Sequence, residues 1–163
     1  MKDAERRADG SADCVALLGT SAGGAVAIVA AAHDKRIGAL VSVASFADLP
    51  TIIAHQIPWL PAGWLNRGLA KAERIGNFDV HTTSPILQIR NVTCPTLIAH
   101  GEKDSSVPFE DGKRLYAAAA CRKEFYVIPG ANHATMFARR GKNLKKKIAD
   151  FISQACSSKR ADD

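Results

Sequence analysis

A serine near the start of the chain lies between two glycines, in the sequence Gly19-Thr20-Ser21-Ala22-Gly23. An apolar run of strand length, residues 14–18, precedes it, and a run of small residues suited to a helix, residues 22–33, follows it. A tight turn from strand to helix needs small residues beside the serine, because a Cβ atom there would meet backbone. The hydroxyl is then exposed near the helix N-terminus, which favours negative charge. The pattern indicates acyl transfer, in which a carbonyl oxygen becomes an oxyanion.

A glycine-rich turn that opens a helix has two other uses: it can be purely structural, or it can bind a phosphate. The spacing does not fit G-x-G-x-x-G, and no lysine follows the glycines as a P-loop requires. The nucleophile interpretation is therefore favoured. A serine hydroxyl is a weak nucleophile at neutral pH, so it also needs a base, and the base needs an orienting group.

Five histidines are candidates for the base, since the pKa of imidazole lies near neutrality. His133 lies in a loop after a predicted strand, and such loops gather at the carboxyl edge of a parallel sheet, where the Ser21 turn lies. His33 ends a helix and is expected at the far edge. His100 ends a strand and is expected to be buried and hydrogen-bonded. His55 and His81 stay open as alternatives.

The orienting acid is expected in a loop at the same edge. Asp104 follows the third predicted strand and meets this condition. Glu102 is a competitor, and so is Asp111, although Asp111 is expected inside the next helix. A lone acid after a strand is usually a turn or cap residue. The chain order of serine, aspartate and histidine, each at the carboxyl end of a strand, favours a catalytic triad.

Strands alternate with helices along the chain, which predicts an α/β architecture with about four parallel strands and flanking helices. An uninterrupted apolar strand such as residues 14–18 indicates burial on both faces. The predicted strands are 14–18, 37–44, 96–101 and 124–128; the predicted helices are 1–8, 22–33, 110–120 and 142–155, followed by a frayed tail at 157–163.

The segment 46–89 interrupts this alternation. It contains four prolines and both tryptophans, Trp59 and Trp64, in short pieces of helical pattern. Such an excursion between strands predicts a small cap-like insertion over a site. The alternative is an irregular packing loop.

The length of 163 residues predicts a single domain. The net charge of +6 comes from 22 basic and 16 acidic residues. Much of the excess lies at 139–147 and indicates a solvated helix face. Few aromatic residues interleave with these charges, so no nucleic-acid partner is expected. The charged N-terminus lacks a signal-peptide core, and the longest apolar run is too short to span a bilayer. We therefore expect no membrane contact and a cytoplasmic location.

The four cysteines are Cys14, Cys94, Cys121 and Cys156, and no pair has C-x-x-C spacing. Metal and thioredoxin-like sites are therefore not expected. Cys14 and Cys94 lie beside apolar runs and are interpreted as small core residues.

The sequence resembles the C-terminal half of an α/β-hydrolase over residues 14–152. The run Pro95-Thr96-Leu97-Ile98-Ala99-His100-Gly101-Glu102-Lys103-Asp104, with Val107-Pro108 behind it, is similar to serine esterases and prolyl-oligopeptidase-like peptidases. The Gly19–Gly24 turn, Ser84-Pro85 and Gly130-Ala131-Asn132-His133 extend the resemblance. It implies that Ser21 is the nucleophile, His133 the general base and acid, Asp104 its orienting group, and the N–H of Ala22 an oxyanion donor, with no cofactor or metal.

The resemblance also has a gap. Typical members of the superfamily have several strands before the nucleophile strand, and one of the missing loops supplies a second oxyanion donor. We therefore expect an N-terminally truncated hydrolase domain, in which the strand 14–18 is an exposed apolar edge that favours self-association.

Three functions follow from the resemblance. The first is a serine hydrolase of small-molecule carboxylic esters that acts through an acyl-enzyme. The second is a peptidase of the prolyl-oligopeptidase-like type. The third is a catalytically silent hydrolase fragment that pairs with another chain through its sheet edge.

Overall fold

A computed structural model of the chain describes residues 14–138 and 142–162. The helix predicted for residues 1–8 lies outside these residues. The described chain forms a four-stranded parallel sheet whose strands follow one another in sequence order. The strands are β1 (Val15–Thr20), β2 (Ile37–Val43), β3 (Thr96–Gly101) and β4 (Lys123–Ile128).

Helices connect the strands, as a parallel sheet requires. There are also two short 3-10 helices: Ile89–Asn91 precedes β3, and His133–Thr135 follows β4. The α-helices are α1 (Ala22–His33), α2 (Leu49–Gln56), α3 (Ala62–Gly76), α4 (Pro85–Gln88), α5 (Phe109–Ala118) and α6 (Lys142–Asp162). The predicted α/β architecture is therefore confirmed.

The sheet has an apolar core on each face. Leu40 of β2 packs in a core with Ile28 of α1 and Leu115 of α5. The next residue, Val41, points to the opposite face and packs in a core with Leu144 of α6. Helices α1 and α5 thus cover one face and helix α6 covers the other. All residues of β2 and β3 are buried, which explains their nearly continuous apolar sequence.

Strand β1 differs from the central strands. Gly19 is its one buried residue, and Leu18 is 53% exposed. The expectation that this apolar run is buried on both faces is wrong. Among the described strands, only β2 pairs with β1, so β1 is an edge of the sheet.

Helix α6 is longer than predicted. The apolar stripe Leu144, Ile148, Phe151 and Ala155 is buried as its spacing predicts. The helix continues to Asp162, so the frayed tail predicted from residue 157 is wrong. Cys156 forms a disulfide with Cys14, which ties this helix to the residue before β1.

The interpretation of Cys14 as a core thiol is therefore wrong, because Cys14 is half-buried and disulfide-bonded. Cys94 is buried, as expected.

The segment 46–89 contains helices α2, α3 and α4, so its helical pieces are present as predicted. Asp48 caps helix α2 by accepting the N–H of Thr51, and Pro50 lies in the first turn. Helix α3 contacts helix α2 and has no buried residue. Across the described ranges, no helix combines the length and hydropathy needed to cross a bilayer.

Candidate active site

Ser21 lies in a strained turn between β1 and helix α1. Its backbone has φ 55° and ψ −125°, a conformation that residues with a side chain rarely adopt. The Ser21 N–H donates to the Val43 carbonyl at 2.8 Å, and the Ser21 carbonyl accepts from the N–H groups of Gly24 and Ala25. The hydroxyl of Ser45 also donates to this carbonyl at 3.2 Å. Hydrogen bonds on both sides of the residue therefore hold the strained backbone in place.

The glycines around Ser21 do not share one role. A Cβ on Gly19 would overlap the carbonyl group of Gly23 and lie 2.6 Å from the Cα of Gly24. A Cβ on Gly24 would overlap the hydroxyl of Ser45. A Cβ on Gly23 would meet no atom within 4 Å. Close approach of strand and helix therefore requires glycine at 19, while position 23 has room for a side chain.

Asp104 and His133 form a hydrogen-bonded pair at the carboxyl edge of the sheet. His133 Nδ1 and Asp104 Oδ2 are 2.8 Å apart. The other carboxylate oxygen, Oδ1, accepts the N–H groups of Ser106 and Val107, each at 2.9 Å. The Asp104 side chain is fully buried, and the His133 side chain is 29% exposed. The carboxylate is thus fixed by its own loop and orients an imidazole that is open to solvent on one side.

Two features position the loop that carries His133. Asn132 caps the 3-10 helix His133–Thr135 by accepting the Thr135 N–H, and the Thr135 hydroxyl accepts the Asn132 N–H in return. Glu102 accepts the N–H of Gly130 at 2.9 Å, so this carboxylate supports the turn after β4. Glu102 therefore pairs with backbone, whereas Asp104 pairs with the imidazole.

The three predicted residues all lie beyond carboxyl ends of parallel strands. Ser21 follows β1, Asp104 follows β3 and His133 follows β4. The structure joins Asp104 to His133 directly. Within residues 14–138 and 142–162, no hydrogen bond joins the hydroxyl of Ser21 to His133.

His100 is fully buried beside this pair, as the sequence predicts. Its Nε2 lies 3.0 Å from the Val107 carbonyl, which can only accept, so Nε2 carries the proton. The same nitrogen lies 3.6 Å from Asp104 Oδ2. Burial lowers the pKa of His100, although the Val107 carbonyl and the charge of Asp104 act in the opposite direction. His100 thus packs behind the carboxylate as a neutral ring.

The other candidate residues have different surroundings. His55 of α2 lies 2.9 Å from the carbonyl of Ser105, next to Asp104 in sequence, so helix α2 contacts the acid loop. His33 is exposed at the end of α1, and His81 is exposed in the segment after α3.

Asp111 lies inside α5 and pairs with Arg114 at 3.0 Å. No group of three or more His, Cys, Asp and Glu residues suited to a metal lies in the part of the chain that the structure describes.

An apolar cavity of about 460 Å³ opens beside the serine turn. Sequence reasoning missed it, although Ala22, Val26, Val29 and His33 recur at helical spacing along one face of α1. Its polar side chains are few. The lining residues are Ala22, Ala25, Val26, Val29, Ala30, His33, Phe46, Leu49, Phe78, Val80, Thr83, Ser84 and Pro85.

Curated proteins similar to this chain are uncharacterized. YfhR of Salmonella typhi is 30% identical over 165 residues, an alignment that covers 94% of this chain and 52% of YfhR. A protein of Mycobacterium tuberculosis strain H37Rv is 34% identical over 140 residues, covering 86% of this chain and 45% of the relative. The chain spans about half the length of the curated relatives it matches.

Solved structures with a similar fold include an esterase and a peptidase. An esterase of Pyrococcus furiosus matches with a TM-score of 0.71 at 18% identity, over 94% of this chain and 58% of the esterase. An acylaminoacyl peptidase of Pyrococcus horikoshii matches with a TM-score of 0.69 at 15% identity, over 93% of this chain and 26% of the peptidase. The fold is therefore that of the α/β-hydrolases, present in part. The sequence model of the prolyl oligopeptidase family matches residues 4–159, and the chain belongs to that family.

Proposed function

We propose that this protein is a serine hydrolase of carboxylic esters, with Ser21 as nucleophile, His133 as general base and acid, and Asp104 as the orienting group. The observation that carries the proposal is the 2.8 Å hydrogen bond between His133 and Asp104. This pair lies beyond the carboxyl ends of β3 and β4, and the strained Ser21 turn lies beyond the carboxyl end of the parallel strand β1. Backbone strain at this turn supports a role for the serine, because strained residues cluster at functional sites.

In the proposed reaction, Ser21 Oγ bonds to the ester carbonyl carbon while its proton passes to His133 Nε2. The tetrahedral intermediate expels the alcohol, which takes the proton from His133, and Ser21 is left acylated. Water then gives a proton to His133 and bonds to the acyl carbon. The bond to Ser21 breaks, the serine recovers its proton and the acid is released. Since contacts between catalytic groups often tighten with substrate, we expect Ser21 and His133 to meet in the complex.

Charge on the carbonyl oxygen needs hydrogen-bond donors. The N–H of Ala22 lies in the first turn of helix α1, where N–H groups have no acceptor within the helix. We assign Ala22 as one oxyanion donor. Removal of a single donor costs on the order of a hundredfold or more in rate, so the presence of a second donor governs how active this chain is.

The cavity beside Ala22 favours an apolar acyl group. Val26, Val29, Phe46 and Phe78 line it, so a hydrocarbon chain bound there leaves water without losing hydrogen bonds. We propose that the segment 46–89 acts as a cap, because Phe46 and Phe78 belong to it and helix α2 touches the Asp104 loop.

A peptidase is the second candidate, and the family match favours it, since amide and ester cleavage share the same catalytic groups. Two substrates with one acyl group, a 4-nitrophenyl ester and a 4-nitroanilide, separate the two functions. We expect faster cleavage of the ester and a rate that rises with acyl chain length. Preferential cleavage of the anilide would assign the protein as a peptidase.

Covalent labelling tests the nucleophile. We expect a fluorophosphonate probe to label the natural chain and to leave Ser21→Ala unlabelled. Thr20→Ala is the matched control, since it changes the neighbouring exposed hydroxyl. Equal labelling of Ser21→Ala would overturn the proposal. A folded natural chain that stays unlabelled would favour the silent fragment, whose pairing through β1 is checked by its mass in solution.

The cytoplasmic location stays a prediction. The Cys14–Cys156 disulfide weighs against it, because disulfides persist mainly in oxidising compartments. Alkylation of thiols in freshly lysed cells, before any reductant is added, shows whether this pair is oxidised in the cell.

A further inference from the structure

Helix α3 and the loop before it carry three large apolar side chains that are exposed. The exposed fractions are 80% for Trp59, 66% for Trp64 and 73% for Ile75. Helix α3 has no buried residue. Large contiguous apolar surfaces mark interaction sites, because they are costly to leave in water. We call Trp59, Trp64 and Ile75 the α3 surface.

The spacing along helix α3 places these residues on one side. Trp64, Gly68, Lys71 and Ile75 are separated by four, three and four residues, which is one stripe of a helix. All four are exposed. The leucines of α3 lie on a different stripe and are half-buried, so the helix has a protein-facing side and a separate solvent-exposed stripe that carries Trp64 and Ile75.

The basic and acidic residues of helix α3 lie on different sides of the helix. Arg67, Lys71 and Arg74 are exposed and lie along or beside the Trp64 stripe. Glu73 is the one acidic residue of the helix, and its carboxylate accepts the backbone N–H of Val80 at 2.8 Å. This hydrogen bond turns the acid toward the protein. The solvent side of helix α3 therefore combines tryptophan, isoleucine and basic residues, with no acid from the same helix.

We propose that the α3 surface binds the surface of an anionic lipid bilayer, with helix α3 lying in the plane of the headgroups. Tryptophan suits the headgroup region of a bilayer because its ring is apolar and its N–H is polar. Basic residues beside Trp64 and Ile75 contact the lipid phosphates. Such helices bind anionic membranes through burial of apolar side chains and through electrostatic attraction. The proposal departs from the expectation of no membrane contact, which concerned segments that span a bilayer.

Lys71 argues for a lipid surface over a protein partner. It lies between Trp64 and Ile75 on the stripe, and the cores of protein–protein interfaces are depleted in lysine. At a bilayer the four-carbon stem of lysine packs beside apolar groups while the ammonium reaches the phosphates. The arrangement therefore fits a surface that is apolar below and anionic at its boundary.

The two tryptophans of the chain are Trp59 and Trp64, so tryptophan fluorescence reports on this surface alone. We expect the protein to sediment with vesicles of phosphatidylcholine mixed with phosphatidylserine, and its emission to shift to shorter wavelength. Vesicles of phosphatidylcholine alone bind at least tenfold more weakly, and added salt weakens binding to the anionic vesicles. These results do not depend on the proposed hydrolase activity.

Variants locate the contact. We expect Trp59→Ala with Trp64→Ala to reduce binding to the anionic vesicles at least tenfold, and Lys71→Glu to reduce it severalfold. Lys145→Glu is the matched control, because it makes the same charge change at an exposed position of helix α6. All these side chains are exposed, so thermal unfolding should be unchanged. Absence of vesicle binding, or equal loss in Lys145→Glu, would overturn the proposal. A third result would also overturn it: a natural chain that is dimeric and does not bind vesicles, and a double tryptophan variant that is monomeric.

Discussion

The candidate site has two halves that are held by different forces. On one side, Asp104 and His133 are fixed by side-chain hydrogen bonds: the carboxylate accepts two backbone N–H groups and binds the imidazole. On the other side, Ser21 is fixed mainly through its backbone, with φ 55°, hydrogen bonds to its N–H and carbonyl groups, and a close approach of Gly19 to the helix behind it. A conservative substitution in the side-chain half should change activity and leave the protein folded, whereas a single methyl group added to the backbone half should disturb the fold itself.

The halves also differ in their surroundings. Asp104 follows β3, a strand whose residues are all buried, and the His100 ring lies next to the Asp104 carboxylate. Ser21 follows β1, which is an edge strand of the described sheet. Two residues of β1, Leu18 and Thr20, are exposed. The serine half therefore depends more on what tethers β1, and the disulfide from Cys14 to helix α6 is one such tether.

The largest effect is expected from Asp104→Asn. The amide oxygen can still accept the N–H groups of Ser106 and Val107, but the side chain loses the charge that orients and stabilises the His133 imidazole. If the proposed function holds, ester hydrolysis should fall by on the order of 10⁴-fold while the protein stays folded. Glu102→Gln is the control, because Glu102 supports only the Gly130 turn. A similar loss in both variants would remove the distinction between the two acids.

The next effect tests the backbone half. Gly19→Ala places a methyl group against the Gly23 carbonyl and the Gly24 backbone, which cannot move away without unwinding helix α1. We expect the free energy of unfolding to fall by about 3 kcal/mol or more, measured by urea denaturation. Gly23→Ala is the control from the same motif. It meets open space inside a helix, so it should be neutral or stabilising by up to about 1 kcal/mol. Equal destabilisation would refute the close-approach argument.

Much of this arrangement could be predicted from the sequence. The small residues that follow a glycine turn predict helix α1 at residues 22–33, and the apolar run between Pro95 and a polar loop predicts β3 at 96–101. The pairing of Asp104 with His133 follows from topology, since loops after parallel strands meet at one edge. Local pattern and chain order are enough for features of this kind.

Other features could not be predicted, for physical reasons. The apolar run at β1 specifies a strand but not its number of neighbours, so its edge position is predicted by the gap in the family resemblance and not by the run itself. Cys14 and Cys156 are 142 residues apart, and connectivity over such a distance cannot be deduced from spacing. The polar C-terminal turns of α6 lack an apolar signal, yet the hydroxyls of Ser157 and Ser158 bond to carbonyls one turn earlier.

A smaller effect is expected when the disulfide is broken. Cys156→Ser releases helix α6 from the residue before β1, and the free energy of unfolding should fall by about 2–4 kcal/mol because the unfolded chain gains freedom. Hydrogen exchange should quicken first in β1 and the Ser21 turn, while the loops of Asp104 and His133 keep their protection. Cys121→Ser is the control, since this thiol is outside the disulfide. Uniform loss of protection in both halves would contradict the proposed dependence of β1 on this tether.

The smallest effect concerns His100, behind the acid–base half. Burial lowers its pKa, so the folded protein holds a neutral ring, while the unfolded chain takes up a proton near the ordinary pKa of about 6.5. Below that pH the unfolded state binds more protons, and stability must therefore fall as the pH falls. A single proton limits the slope to about 1.4 kcal/mol per pH unit.

Urea unfolding between pH 7.5 and 5 measures this slope for the natural chain and for His100→Gln, whose amide can still donate to the Val107 carbonyl. We expect His100→Gln to lose less stability across this range. His81→Gln is the matched control, because it makes the same substitution at an exposed position. If the profiles of the natural chain and His100→Gln run parallel, the buried ring does not take part in acid unfolding.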